Sequence, residues 1–508
     1  MAEYTSAIFL AERLKLWYTM PTMSVIAALR GTRVSVVTAA ILLVTALCFG
    51  LFFIQEYRRV LTLERLTRAY VPGVHGVVLM SPHASSVQFE PWHPLEQNRS
   101  LETMLARLCS KAGLVETCAT DPEIRFELFT KGQHVVYNGA VVELERGVLP
   151  LPEEVSRAFL EGRLRMIAQW VEENQRDDGS LPYLYSPSRG EYPEGSNVIR
   201  QMITVQGLYA VANILGDEKL RDAAVRAEGY MLRRSLRNDG NRAYMVEEDG
   251  EVKLGASALA VLALREKSGG ESTAHERALG EFLLSMQRPD GSFQTFLQDE
   301  PTDENDRFYS GEALTALAKL AVATGEQKYY DALARSLPYY RAKLESDFYP
   351  QYAPWHMQAY AIAYQATDIE EYKAYTYWLA DRLIETMLEN DTDALPDEEG
   401  RFYNPDVPEW GPPHSSSTGI YTEGLTYAYE IARADGDVRR AQKYRDAVLQ
   451  GTRSLLHVQW TPESAYYLTY PERVVGSFKR TVTDNRHRID QMGHAANALA
   501  RVYSVVLE

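Results

Sequence analysis

The sequence predicts a mainly helical fold: an (α/α)6 toroid of six helical hairpins, preceded by a single transmembrane helix and a small α+β domain. Three observations carry this. Through residues 151–508, helices rich in charge alternate with helices rich in Ala, Leu and Tyr. A turn phrase recurs between them, QRDDGSLPY at 175–183 and QRPDGSF at 287–293. Val34 to Ile54, VSVVTAAILLVTALCFGLFFI, runs 21 residues without a charge.

The apolar run is long enough to cross a bilayer as a helix. It is too long and too uniform for an ordinary cleaved signal sequence. Cys48 does not make a lipoprotein box, because Leu47 precedes it and the apolar run continues past it. Residues 1–33 then form a cytosolic lead, and 55–69 continue helical out of the membrane. Orientation is not set by charge: Arg13, Lys15, Arg30 and Arg33 upstream balance Arg58, Arg59, Arg65 and Arg68 downstream. A large domain behind one N-terminal anchor is expected outside the cytoplasm, in the periplasm. Cys109 and Cys118 would there be either a disulfide or two buried thiols.

Residues 70–150 read as the small α+β domain. GVVLM at 76–80 is a strand, and HVVYNGAVVEL at 134–144 is a hairpin turning at Asn138-Gly139. SLETMLARLCSKAGL at 100–114 has helical spacing and ends at Gly113.

The toroid follows. Charged first helices run roughly over 154–175, 217–236, 273–287, 326–346, 368–390 and 437–459. Small, apolar second helices start near Asn197, Gly255, Ser310, Pro354, Thr418 and Ile489. Helices polar on one side suit an outer ring facing water, and helices apolar all round suit a buried inner ring. An open superhelical stack is the alternative, but no polar capping repeat marks its ends.

The QRxDGS phrase is a turn: Pro or Asp sets the start, Asp bonds its own backbone and Gly takes positive φ. RNDGNRAY (237–244), DEEGRFYN (397–404) and VVGSFKR (474–480) read as the same slot in other hairpins. The phrase is similar to the Gln-Trp motifs of terpene cyclases. Both good copies lack the Trp, and the chain has no Asp-x-Asp-Asp acid. The zinc-binding toroids need Cys ligands, and no Cys follows Cys118.

Net charge −16 argues against nucleic acid as the partner. There is no Gly-rich phosphate loop, so no cofactor is expected, and no metal motif of the His-Glu-x-x-His kind. Tyr is frequent, 32 against 15 Phe, which suits sugar contacts as well as amphipathic packing.

Candidate site residues are those placed at the start of the inner helices. Arg200 suits a carboxylate or sulfate, or an outer salt bridge. Tyr309 and Glu312 lie in DENDRFYSGEAL; Glu312 is a carboxyl in an otherwise apolar helix. Trp355 and His356 pair a stacking platform with a titratable group, or pack in the core. Tyr421 and Glu423 mirror the Tyr309–Glu312 pattern. Arg488, Asp490 and His494 cluster, with Asp490 and His494 four apart on one helical face; the pair orients a general base or closes the ring.

Six hairpins with Tyr, Trp, Glu and His at the rim resemble the six-hairpin glycosidase-like superfamily, which groups glycoside hydrolases with toroid polysaccharide lyases; uronate C5-epimerases are a looser relative. The resemblance covers residues 154–508 and is architectural. It implies a membrane-anchored enzyme acting on an extracytoplasmic polysaccharide or envelope glycan. In a hydrolase, Glu312 with Glu423 or Asp490 would be acid and base. In a lyase or epimerase, a Tyr or His would take the proton α to a uronate carboxylate, and Arg200 or Arg488 would neutralise the enolate. The alternative is a non-catalytic glycan- or protein-binding scaffold with envelope protein partners.

Overall fold

Each charged helix and the small-residue helix after it fold back on one another as a hairpin. The computed structural model describes residues 60–270, 272–298, 303–389 and 394–507, without the side chains of 303 and 304. The apolar run 34–54 lies outside the described residues. The outer helices are Arg157–Asn174, Glu218–Ser235, Ala274–Ser285, Gln327–Ser346, Glu370–Met387 and Val438–Val458. The inner helices are Val198–Leu215, Leu254–Ser268, Asp303–Thr324, Ala353–Thr367, Ser415–Ala434 and Ile489–Arg501. Both sets are numbered one to six below.

Burial separates the two rings. Outer helix one buries Leu160, Arg163, Leu164, Ile167, Trp170 and Val171, a stripe at helical spacing. Inner helix two buries every residue from Leu254 to Leu264. Among the described residues, inner helix one alone has the length and hydropathy of a membrane span, but most of it is buried within the ring. Neighbouring inner helices pack in chain order, and six packs against one. At that closure Thr204 Oγ1 donates to Ile489 O at 2.9 Å and Asn497 Nδ2 to Ile203 O at 3.3 Å. These are two concentric rings, an (α/α)6 toroid.

The recurrent turn is a clamp between neighbouring hairpins. Gln175 Nε2 donates to Ala223 O on outer helix two at 2.8 Å, and Gln287 Nε2 to Ala332 O on outer helix four at 2.8 Å. Gln459 Nε2 closes the circle on Arg163 O of outer helix one at 3.0 Å. Asp290 Oδ1 accepts from Ser292 N at 3.0 Å and Oγ at 2.7 Å, which holds the turn. Gly291 has φ +92°, and a Cβ there would lie 2.2 Å from the carbonyl oxygen of Arg335. Gly179, Gly400 and Gly476 abut the next outer helix in the same way. RNDGNRAY is different: it forms a β-hairpin, Leu236–Asp239 with Arg242–Met245, whose Gly240 tip touches nothing. Its Asp-Gly centre suits a tight hairpin better than a clamp.

Two inner helices start earlier than their apolar residues suggest. Inner helix three takes in the charged DENDRFY stretch from Asp303, and inner helix five begins at Ser415.

Ahead of the toroid, β1 (His75–Ser81) lies between β2 (Ala84–Phe89) and β3 (Arg125–Thr130) in an antiparallel sheet. Helix Leu101–Lys111 covers it, burying Met104, Leu105, Leu108 and Cys109. Cys109 and Cys118 are disulfide-bonded. Strands β4 (Gln133–Tyr137) and β5 (Ala140–Leu144) turn through Asn138 and Gly139, both at positive φ. The helix expected over 55–69 is confined, in its described part, to Leu63–Ala69. Leu61 instead bonds the backbone of Phe126, which draws this stretch onto the sheet. A buried ion pair, Arg146 Nη1 to Asp397 Oδ1 at 2.6 Å, ties the small domain to hairpin five.

Candidate functional site at the mouth of the inner ring

The loops entering inner helices one and six are stitched together. Leu184 pairs with Arg488 and Tyr185 with His487. Asn197 caps inner helix one through Arg200 N at 3.0 Å, while Glu247 accepts from Val198 N at 2.9 Å. That satisfies helix-end donors and fixes Arg200 in the first turn. Arg200 bonds the Tyr183 hydroxyl.

Arg488 grips Asp490 with two bonds, Nε to Oδ1 at 2.5 Å and Nη2 to Oδ2 at 2.8 Å. Arg200 Nε approaches the same carboxylate at 3.9 Å. Burial works to raise the Asp490 carboxyl, but the Arg488 bonds and both arginine charges outweigh it and hold it below the usual carboxylate value. Two guanidinium groups therefore face one carboxylate, which leaves an excess positive charge.

His494 lies one turn further on. Its ring meets the Trp355 ring edge-on at 6.3 Å, and its Nδ1 has no partner among the described residues. Burial, aided by the arginines, pulls its pKa down to about 4, so it is neutral at pH 7. Across the ring, Glu312 is 5% exposed with Oε2 unpartnered. Burial raises its pKa to about 8, so it holds a proton at neutral pH. Gly255 makes the space: a Cβ there would stand 2.2 Å from Glu312 Oε2 and 2.7 Å from the Tyr309 ring. Burial also raises the Tyr309 hydroxyl, the Glu312 and Glu247 charges adding to this while Arg200 opposes it.

The structure thus gathers Arg200, Arg488, Asp490, His494 and Trp355, with Glu312 and Tyr309 beside inner helix two. Three expected residues go elsewhere. His356 faces the outer ring, caged by Tyr340, Tyr352, Tyr360 and Tyr375, with Nδ1 3.2 Å from the Tyr375 hydroxyl. One residue along a helix turns the side chain by about 100°, so Trp355 and its neighbour point apart. Tyr421 is buried against Phe402. Glu423 lines a separate cavity of about 480 Å³ with Gln206, Lys319, Asn497 and Arg501. Burial lifts its pKa to about 7, with Lys319 and Arg501 opposing. Glu312 and Glu423 are therefore not brought to one pocket as an acid–base pair.

Sequence reasoning missed His414 and Glu247. His414 caps inner helix five, its Nδ1 accepting from Ser417 N at 3.1 Å. Burial lowers its pKa to about 4, and Asp490 and Arg488 are among its charged neighbours. A His ahead of three Ser was the available signal. Among the described residues no group of three His, Cys, Asp or Glu side chains is placed to hold a metal ion.

Solved structures share the two-ring fold. A family 76 glycoside hydrolase from a bovine Bacteroides thetaiotaomicron strain aligns with TM-score 0.52 at 10% identity, over 85% of this chain and 94% of its own. D-mannose isomerase aligns with TM-score 0.51 at 13% identity, over 70% and 99%. An inactive variant of the α-1,6-mannanase GH76A of Salegentibacter sp. HEL1_6, in complex with α-1,6-mannotetrose, aligns with TM-score 0.51 at 12% identity, over 70% and 100%. At these identities the likeness is one of fold, an (α/α)6 toroid. A family model described as AMMECR1 matches residues 9–134, which include the apolar run and much of the small domain. A comparison with curated proteins finds no match.

Proposed function

We propose that the chain is a membrane-anchored, extracytoplasmic enzyme that acts on an acidic glycan by taking the proton α to a uronate carboxylate, as a lyase or C5-epimerase. The observation that carries this is the arginine pair on Asp490. Both Asp490 oxygens are engaged, so this carboxylate positions Arg488 instead of activating water. The excess positive charge suits a substrate carboxylate and the enolate formed from it. Neutral His494, with Nδ1 unengaged, is the base. Protonated Glu312 is the acid: in elimination it gives its proton to the leaving C4 oxygen as the C4–O bond breaks. In epimerisation a proton returns to C5 from the other face.

Hydrolysis has one observation in its favour, the protonated Glu312, which suits a glycosidic leaving oxygen. The carboxyls expected to partner Glu312 are not free to act on water beside it, since Asp490 is held and Glu423 lies in another cavity. The apolar run 34–54 and the Cys109–Cys118 disulfide support an anchored protein facing an oxidising compartment.

The test incubates the full chain, in detergent, with polyuronates in D2O, followed by mass spectrometry. An unsaturated end marks a lyase, and deuterium without cleavage an epimerase; new saturated reducing ends would replace the proposal with hydrolysis. Binding without any change, in the native protein as in Glu312→Gln, would make it a scaffold.

A further inference from the structure

We infer that the small α+β domain and the toroid together form a binding groove for the acidic chain beyond the reacting residue, with Arg99 and Arg189 as its cationic contacts. This rests on the acidic-glycan reading above.

A cavity of about 730 Å³ lies between the two parts, a size at which ligand sites are common. Its walls are the start of helix Leu101–Lys111, the loop after Tyr183 and the segment leading to Arg488. Arg99, Arg189 and Arg486 line it against one carboxylate, Asp484. That carboxylate is consumed, bonded by Arg486 at 2.8 and 2.5 Å. Arg99 and Arg189 are exposed and make no ion pair with a described residue. Two free guanidinium groups in one cavity are a local inversion on a chain of net charge −16.

A second observation points to a hydroxyl-bearing ligand. Asn485 lines the same cavity and is 2% exposed. Its Nδ2 donates to Leu95 O and Ser188 Oγ, fixing the amide, while Oδ1 is left without a partner. A sugar hydroxyl is the donor it lacks. The cavity adjoins the loops that carry the site at the mouth of the ring. Leu184, in its wall, pairs with Arg488, and Arg486 stands two residues before it.

The test is binding by the full chain in detergent, using galacturonate hexamers, galacturonate itself and neutral dextran as probes. Arg99→Ala with Arg189→Ala is expected to weaken hexamer binding about tenfold or more, more at low than at high salt. It should leave the monosaccharide unchanged, and Lys at both positions should restore most of the loss. Arg439→Ala, an exposed arginine on outer helix six, is the control. If the hexamer binds and depends on Arg200 and Arg488 but not on Arg99 and Arg189, the groove is refuted and the acidic-glycan reading stands. If the native protein prefers dextran or binds no uronate, both fall.

Discussion

Replacing Glu312 with Gln tests whether this carboxyl carries a proton in the folded protein. A carboxyl whose folded pKa is raised stabilises the fold at low pH and loses that contribution as pH rises. Below 4.5, its ordinary value, folded and unfolded chains both bind the proton and Glu312 adds no pH dependence. From 4.5 to about 8 only the folded chain holds it. Stability then falls by about 1.4 kcal/mol per pH unit. Over the interval the loss is about 5 kcal/mol, an order-of-magnitude figure, after which the curve flattens. Gln has the same shape and no such titration. Urea denaturation of the two proteins from pH 4.5 to 8.5, followed by Trp fluorescence, reads the difference free of every other titrating group. The variant should gain steadily on the native protein as pH rises, while losing activity. Parallel pH profiles, within about 1 kcal/mol, would mean that Glu312 is ionised in the fold. The acid role assigned to it would then be lost.

Asp490→Asn removes the partner of Arg488 and should cost about 3 kcal/mol at pH 7. Because the folded carboxyl titrates below 3.8, that difference persists above this value and closes as pH falls through the depressed one, measured by denaturation. His494→Gln should lower turnover by about 10²–10⁴-fold with the denaturation midpoint little changed; an unaltered rate would remove it as the base. Gly291→Ala should destabilise by about 2–4 kcal/mol, since strain at positive φ adds to a clash with the Arg335 carbonyl. Gly240→Ala, at the open hairpin tip, should cost about 1 kcal/mol, and equal thermal shifts would show that the turn is not a clamp.

The contrast between Arg488 and His356 shows what the sequence can and cannot reveal. Outer helices carry a polar side, so their phase is written in the pattern, and Arg157–Asn174 fell within the range read for it. The clamp turns were also legible, because Asp-Gly-Ser between helices has one economical conformation. Inner helices are apolar all round, so nothing in their composition says which side faces the axis. His356, Glu312 and Glu423 each interrupt such a helix. One was caged by tyrosines, one placed near the mouth and one given to a second cavity. Arg488 and Asp490 escape this ambiguity, because they sit where the chain enters the helix and charge must find either water or a partner. The starts of inner helices are thus where a sequence can nominate a site in such a ring. Deeper positions depend on tertiary packing: Gly255, small enough to admit Glu312 and Tyr309, decides more about the site than either neighbour's place in the sequence.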